Sequence, residues 1–280
     1  MSYTHELIKI EDGLYCIKDV QSINKYLIIG TEKALIFDTG FGFTDFKPLI
    51  KQVTNLPYFV VDSHSDVDHA SGNFLFDEVH ISIYDYKNLK ENDNYDFKLE
   101  QLNYRLNKPN SKLKEEMDID DYFKHSIFDT KYILIDDGYK FNLGDREIEV
   151  ISIPGHSNGS IALYDPKNGH LFTGDSVMKY NVFYMMENQE PLVVYLNSLN
   201  KLQKRAHQFT SIFPGHGEYR IPVHFIQDLI DNVHDLYTNY SNDEPIDSFA
   251  NMSGFKHYYK DTLILYSKNR LDEFHVQYKK

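Results

Sequence analysis

The chain is poor in cysteine, because Cys16 is the only one among its 280 residues. A lone cysteine cannot form an intramolecular disulfide, nor can it supply the thiolate cluster of a cysteine-based zinc finger. Residues 1–12 lack the apolar core of a signal peptide, and no apolar run approaches the length of a membrane span. These absences predict a soluble protein in the reducing cytoplasm.

Basic residues are also scarce, since 42 acidic residues stand against 29 basic ones and give a formal net charge of -13. A nucleic-acid backbone or an anionic membrane would repel such a chain, so neither is expected as a partner. The expected partner is a small-molecule substrate. Tryptophan is absent, but 22 Tyr and 19 Phe supply aromatic packing, and hydrophobic residues make up 41% of the chain.

The most informative stretch runs from residue 58 to residue 72. An apolar run over 58–61 predicts a buried strand, and four ligand-type side chains follow it closely: His64, Asp66, Asp68 and His69. Imidazoles and carboxylates gathered at one sheet edge form the kind of site that binds a divalent metal. One Asp or His after a strand is typical of a turn or cap, but four such residues within six positions predict a metal site.

Three later apolar runs also end in a candidate ligand. His156 follows a predicted strand over 148–153, Asp175 follows one over 170–173, and His216 follows one over 211–213. Glycines flank each ligand and allow backbone and side chains to approach closely. Four separate strand ends therefore carry ligand-type side chains.

Hydrophobic periodicity predicts most of the remaining elements. Hairpins are predicted over 7–17 and 26–38, a helix over 46–53 and a short helix over 71–76. The later predictions are strands at 78–83, 132–135, 140–143 and 161–164, and helices at 192–206 and 223–240. Residues 241–253 are predicted to be irregular, and the aromatic stretch 255–266 is a candidate surface for a homodimer.

Residues 85–129 differ from the rest in being charged and rich in Asn and Lys, with weak helical patterns at 99–106 and 112–123. This composition favours a helical insertion that covers the site. A solvated excursion without a role in the site is the alternative.

The order of the ligand-bearing motifs resembles that of the metallo-β-lactamase superfamily of metal-dependent hydrolases. The matching motifs are Asp38-Thr39-Gly40, the H-x-D-x-D-H run from His64 to His69, Pro154-Gly155-His156 with Gly159-Ser160, Gly174-Asp175, and Pro214-Gly215-His216-Gly217. The resemblance implies an α+β fold, the four-layer αββα sandwich, in which two mixed β-sheets pack face to face with helices outside. It implies a single domain over 1–280, with a helical insertion at about 85–130 and a C-terminal extension from about residue 241.

The resemblance also implies a dinuclear metal centre at one edge of the sandwich. The implied ligands of the first ion are His64, His156 and the residue at position 66. Those of the second ion are Asp68, His69 and His216. Asp175 would bridge the two ions, and Asp38 would support the ligands from behind.

The chain departs from the family at position 66, where the usual motif has His and this sequence has Asp66. Three carboxylate ligands leave two divalent ions with one net positive charge, which a bridging hydroxide cancels. This harder site shifts the metal preference from zinc toward iron or manganese without excluding zinc. We expect two divalent transition-metal ions, with zinc first and iron or manganese as alternatives. Because Asp is shorter than His, direct binding and binding through a water are both open.

This centre predicts hydrolysis. The two ions would deprotonate a bridging water, and the resulting hydroxide would cleave an ester, thioester, lactone or phosphodiester bond in a small molecule. Asp68 is the candidate for orienting the hydroxide and carrying its proton. After Asp175, the segment with Tyr180, Asn181 and Tyr184 offers the Tyr180 phenol as a hydrogen-bond donor to the substrate, with plain aromatic packing as the alternative.

Two other functions are open on the sequence alone. The flavodiiron oxygen and nitric-oxide reductases have a carboxylate, Glu, in the slot of Asp66, but no flavin-binding segment follows residue 240. The second alternative is a non-catalytic binding protein on the same fold, which the six other ligands argue against.

Overall fold

The computed structural model describes residues 5–19, 23–107, 113–182, 189–249 and 252–267. The strands are β1 (His5–Glu11), β2 (Leu14–Asp19), β3 (Asn24–Ile29), β4 (Ala34–Phe37), β5 (Tyr58–Val61), β6 (Glu78–Ser82), β7 (Lys131–Ile135), β8 (Lys140–Asn142), β9 (Glu147–Ser152), β10 (Ile161–Asp165), β11 (His170–Gly174), β12 (Tyr180–Val182), β13 (Ser211–Pro214), β14 (Glu244–Phe249), β15 (Met252–Tyr259) and β16 (Thr262–Tyr266).

The α-helices are α1 (Lys47–Ile50), α2 (Val67–Ala70), α3 (Tyr95–Leu106), α4 (Leu113–Glu116), α5 (Ile119–Tyr122), α6 (Leu192–Lys204) and α7 (Phe225–Asn239). Short 3-10 helices cover Ser71–Leu75, Tyr86–Asp93, Ile127–Asp129, Ala206–Gln208 and Tyr240–Asn242.

Two mixed sheets form the centre of the fold. The first has the strand order β1-β2-β3-β4-β5-β6-β7 and changes from antiparallel to parallel pairing at β4. The second has the order β13-β11-β10-β9-β8 and is antiparallel except for the parallel pair of β11 and β13. A further sheet, in the order β12-β16-β15-β14, contains the C-terminal strands.

The first two sheets pack face to face through side chains that alternate along each strand. In β3, Tyr26 and Ile28 enter the layer between the sheets, whereas Leu27 faces the outer side. In that inner layer the rings of Phe172 and Phe213 stack at 4.8 Å between centroids. Burying each such side chain contributes about 1.5–3 kcal/mol, so this shared layer holds the two sheets together.

Helices cover the outer face of each sheet. Phe46, which precedes α1, and Ile50 of α1 pack on the outer side of the first sheet. Tyr195 of α6 and Leu229 of α7 pack on the outer side of the second sheet. The layers therefore run helix, sheet, sheet, helix. This confirms the predicted αββα sandwich.

Some predicted elements differ from the structure. The helix predicted over 46–53 is the single turn α1, and the one predicted over 112–123 is divided into α4 and α5, because Asp118 caps a new helix by accepting from the Asp121 backbone N–H at 3.0 Å. The prediction that 241–253 is irregular was wrong. Glu244–Phe249 forms β14, whose Pro245 is accommodated because this strand lies at a sheet edge.

The helices between β6 and β7 pack against the segment that carries the ligand cluster. Leu102 of α3 and Tyr122 of α5 share an apolar cluster with Phe41, Phe43 and Val67. Val67 lies between the predicted ligands Asp66 and Asp68, so these helices contact the segment of the predicted metal site directly. Single-domain organisation and homodimer formation stay predictions. Among the described residues, no helix combines the length and apolarity needed to cross a bilayer.

Candidate metal centre

The predicted ligands follow strands that end at one edge of the two sheets. In the first sheet β4 and β5 run parallel, and Asp38 and His64 follow their ends. In the second sheet β11 and β13 run parallel, and Asp175 and His216 follow theirs. His156 follows β9, which runs in the same direction because two antiparallel pairings separate it from β11. Ends of strands with one direction share an edge, so distant residues meet there.

The first group of donors contains His64, His156 and Asp175, whose ligand atoms all lie within 4.8 Å of one another. Asp66 lies beside them, with Oδ2 at 3.5 Å from His64 Nε2 and 3.2 Å from His156 Nε2. Its carboxylate therefore reaches both imidazoles despite the short side chain.

The second group contains Asp68, His69 and His216, again within 4.8 Å. The Nε2 atoms of His69 and His216 lie 3.1 Å apart, and Asp68 Oδ2 lies 3.3 Å from His216 Nε2. Asp175 Oδ1 lies 3.2 Å from His69 Nε2, while its Oδ2 lies 3.2 Å from His216 Nε2 and 3.9 Å from His156 Nε2. Asp175 therefore contacts both groups.

Two observations fit a pair of divalent ions at these groups. Donors around one tetrahedral ion with bonds of about 2.0–2.1 Å are separated by about 3.3 Å, close to the spacings found here. His64 Nε2 and Asp175 Oδ1 are buried without a hydrogen-bond partner among the described residues. A buried polar atom without a hydrogen-bond partner indicates a binding partner outside the chain. A cation fits both atoms, because it binds the lone pair of an imidazole nitrogen and pairs with a carboxylate oxygen.

A family model described as the metallo-beta-lactamase superfamily matches residues 19–216. The chain belongs to this superfamily. Acyl-coenzyme A thioesterase MBLAC2 of Homo sapiens is 26% identical over 195 residues, covering 62% of this chain and 66% of that protein, just under two thirds of its length. Probable metallo-hydrolase MJ0888 of Methanocaldococcus jannaschii is 26% identical over 208 residues, covering 70% of this chain and 88% of that protein.

A solved structure supports the same fold. A metallo-beta-lactamase family protein from Thermus thermophilus superposes with a TM-score of 0.62 at 17% identity, and the match covers 85% of each chain. This superfamily membership implies bound divalent metal ions, which agrees with the donor groups described above.

Asp38 supports a predicted ligand from each group, His69 directly and His64 through Ser63. Its Oδ2 accepts from Ser63 Oγ at 2.9 Å and lies 2.9 Å from His69 Nδ1, which leaves His69 Nε2 facing the other donors. Ser63 Oγ in turn lies 2.8 Å from His64 Nδ1. Asp38 has a φ of 70°. This left-handed conformation is energetically unfavourable for any residue other than glycine.

Asp85 is a supporting residue that the sequence analysis missed. Its Oδ2 accepts from the Ser65 backbone N–H at 2.9 Å and from Ser157 Oγ at 2.7 Å, and its Oδ1 accepts from the Gly159 N–H at 2.8 Å. It thus connects the loop of His64 to the loop of His156. The available signal was a carboxylate shortly after the strand predicted over 78–83, but this residue was assigned to the insertion.

We expect Asp85→Ala to lower metal affinity about 10- to 100-fold, because the two loops of the first donor group lose their common acceptor. Titration of the metal-depleted variant with zinc, followed by a chromophoric chelator in competition, measures this change. Asp96→Ala, which removes a carboxylate from the exposed side of α3, is the matched control. Equal affinity for Asp85→Ala and the unaltered chain would contradict this role.

The carboxylates strongly perturb the imidazoles of the metal-free centre. Burial lowers the pKa of His69 and His216, but Asp175 and the other nearby carboxylates together outweigh it, so that the pKa of His69 rises well above its usual value and that of His216 rises to about 10. Burial likewise opposes protonation of His156, yet the nearby Asp66 carboxylate raises its pKa. At neutral pH the imidazoles of His69 and His216 therefore carry protons, which a bound metal would displace.

Metal binding at pH 7 is therefore expected to release at least about two protons per chain, and affinity should fall as pH decreases. Metal affinity falls at lower pH because the imidazoles with raised pKa values become more fully protonated, and a protonated imidazole has no lone pair for a metal. Calorimetric titration of metal-depleted protein with zinc, in buffers of different ionisation enthalpy, counts these protons. A binding enthalpy that does not depend on the buffer would contradict the prediction.

Tyr180 lies at the start of β12 and is 65% exposed. Within the described ranges it forms no hydrogen bond to a donor of the two groups, so its role toward substrate stays a prediction. Tyr184 lies outside the described residues, and only the backbone of Asn181 is described.

Proposed function

We propose that this protein is a dinuclear metallo-hydrolase that cleaves a thioester bond in a small molecule. The observation that carries the proposal is that Asp175 lies between two donor groups supplied by separate strand ends. In this proposal the first ion is held by His64, Asp66 and His156. The second ion is held by Asp68, His69 and His216.

Two divalent ions bound there would supply Lewis acidity and a water activated at neutral pH. The chain's own residues would position these ions and manage the proton. Asp175 would keep the ions together, and Asp38 would fix the orientation of His69. The described geometry supports direct binding by Asp66, since its Oδ2 lies at ligand spacing from two imidazoles.

Asp68 is proposed to accept the proton of the reacting water. Burial opposes its ionisation, but the charges of His69 and His216 lower its pKa to about 2, so it is a carboxylate at neutral pH. Its side chain is 24% exposed, against 8% for Asp175. A carboxylate that contacts both the second donor group and solvent can pass a proton outward.

The leaving group favours a thioester over an ordinary ester. A thiol has a pKa of about 8.5, so a thiolate departs without protonation, whereas an alkoxide requires an acid. Asp66 and Asp68 have lowered pKa values and hold no proton for an alkoxide before the water reacts. The relative named as an acyl-coenzyme A thioesterase adds support for this bond class.

The test is hydrolysis by chain loaded separately with zinc, iron(II) or manganese(II). Acyl-coenzyme A thioesters and oxygen esters of the same acyl groups form matched pairs, and released thiol or acid is measured. We expect thioesters to be preferred at least about tenfold in kcat/KM, since no strong acid assists the alkoxide. Absence of thiol release with every metal would overturn the proposal, and oxygen or nitric-oxide consumption by the iron form would favour the flavodiiron alternative.

Asp66→His is expected to change metal identity or occupancy, because it replaces a hard carboxylate with an imidazole and restores one positive charge to the site. Elemental analysis of both proteins, purified side by side without chelator, measures the change. We expect the variant to carry a larger zinc fraction. If the two proteins carry the same metals in equal amounts, Asp66 is not a ligand.

A further inference from the structure

Arg105 of α3 is a half-buried cation with part of its hydrogen-bonding capacity unused. Its guanidinium carbon lies 3.7 Å from the centroid of the Phe41 ring, and its Nη1 donates to the backbone and side-chain oxygens of Gln101 at 2.9 and 2.8 Å. Its Nε is buried without an acceptor in the part of the chain that the structure describes. Arg146 and Arg205 each pair with a carboxylate, whereas Arg105 has no such partner in the same ranges.

Arg105 lies near the metal centre. Phe41, on which its guanidinium stacks, shares an apolar cluster with Val67, the residue between Asp66 and Asp68. Burial lowers the pKa of the Arg105 guanidinium, and the charge of Asp68 acts in the opposite direction. The guanidinium and the second donor group therefore share one electrostatic environment.

The unused edge has a defined shape. Since Nη1 is occupied by Gln101, the remaining donors are Nε and Nη2, which point the same way in the guanidinium plane. Two parallel N–H groups of this kind bind the two oxygens of a carboxylate or phosphate. Removing such a charged group from water without a partner is costly, which an anionic ligand would offset.

We propose that Arg105 binds a carboxylate or phosphate group of the substrate and selects substrates that carry this charge near the scissile bond. The selection of substrates rests on the proposed hydrolase function. The anion site itself does not require turnover. In a chain with net charge of -13, a cation with open donors is a specific means of accepting an anion.

The neighbouring cation on the same helix does not offer such a site. Lys98 donates to the His125 backbone oxygen at 3.0 Å and lies 4.7 Å from the centroid of the Tyr122 ring. Its ammonium group therefore serves packing within the insertion, whereas the Nε of Arg105 has no acceptor among the described residues.

The test compares dicarboxylates with monocarboxylates of the same length on metal-loaded full-length protein. Succinate, glutarate and adipate are titrated against butyrate, valerate and caproate, so one carboxylate of each ligand is available to the metals and only the dicarboxylates offer a second. Arg105→Met keeps an unbranched apolar side chain in place of the guanidinium, and Arg105→Lys keeps the charge without the fork.

We expect the best dicarboxylate to bind the unaltered protein about 10- to 100-fold more tightly than its monocarboxylate. Arg105→Met should reduce this ratio to about one, and Arg105→Lys should retain part of it. Lys90→Met, which removes an exposed charge from the same insertion, should leave the ratio unchanged. 3-Phosphonopropionate in place of succinate then decides whether phosphate or carboxylate is the preferred anion.

A ratio that is unchanged in Arg105→Met, with metal content equal to that of the unaltered chain, would overturn the proposal. If Arg105→Met does not fold, an unchanged ratio in Arg105→Lys has the same meaning. Loss of the ratio in a protein that hydrolyses no thioester would refute the proposed function and leave the anion site standing. Thioester hydrolysis together with an unchanged ratio in Arg105→Met would support the proposed function and refute the anion site.

Discussion

Asp175→Asn is expected to reduce hydrolysis at least about 1,000-fold and to remove at least one metal ion from the centre. Asp175 contacts donors of both groups, with Oδ1 at 3.2 Å from His69 Nε2 and Oδ2 at 3.9 Å from His156 Nε2. Two divalent charges about 3.5 Å apart repel by on the order of 20 kcal/mol at an effective dielectric constant of about 20. The negative charge between them offsets much of this repulsion, and a neutral amide of the same size does not.

Metal content by elemental analysis, together with initial rates on the best thioester, measures this prediction. Asp12→Asn is the matched control, because Asp12 has a 97% exposed side chain and lies far from the donors in the β1–β2 turn. The control should keep both ions and full activity. An Asp175→Asn protein with two ions and unchanged rates would show that Asp175 does not hold the centre together.

Gly215→Ala is expected to have a large effect although it changes no donor. A Cβ at position 215 would meet Asp175 Oδ1 and would lie 2.8 Å from His69 Cε1 and 3.1 Å from the Gly174 carbonyl carbon. These groups cannot withdraw, since His69 is fully buried and anchored by Asp38. The displaced Asp175 and His69 would lose their common geometry, so we expect loss of metal occupancy and at least about a 100-fold loss of activity.

Gly217→Ala, in the same loop, is the control that distinguishes the effect of this steric clash from the effect of backbone strain. Gly217 has a φ of 75° with nothing within 4 Å of the added Cβ, so this variant is strained but has no clash. It should lose modest thermal stability while keeping both ions. If Gly215→Ala keeps full metal content and rate, the close packing at Gly215 is not needed for the centre.

Features that depend on consecutive residues could be predicted from the sequence. The apolar run of β5 and the ligands after it form one continuous signal, and the same is true of β11 with Asp175. These local signals indicated which residues are candidate ligands, and the family resemblance implied that they meet at one site.

Features that depend on packing between distant segments could not be predicted in this way. Asp85 acts through Ser65 and Gly159, which are far away in sequence, so its spacing carries no pattern. Arg105 resembles any helical arginine until its contact with Phe41 and the lack of an acceptor for its Nε among the described residues are seen. β14 was missed because its polar composition suits an edge strand, where pairing with β15 rather than hydrophobicity fixes the conformation.

The central claim is that side chains from separate strand ends bind two cations together, and anomalous X-ray scattering from crystals of metal-loaded protein measures this most directly. The account predicts two peaks about 3.5 Å apart. One should lie among His64, Asp66 and His156, and the other among Asp68, His69 and His216. A metal-loaded crystal with no anomalous peak at these side chains, or with peaks only elsewhere on the surface, would contradict it.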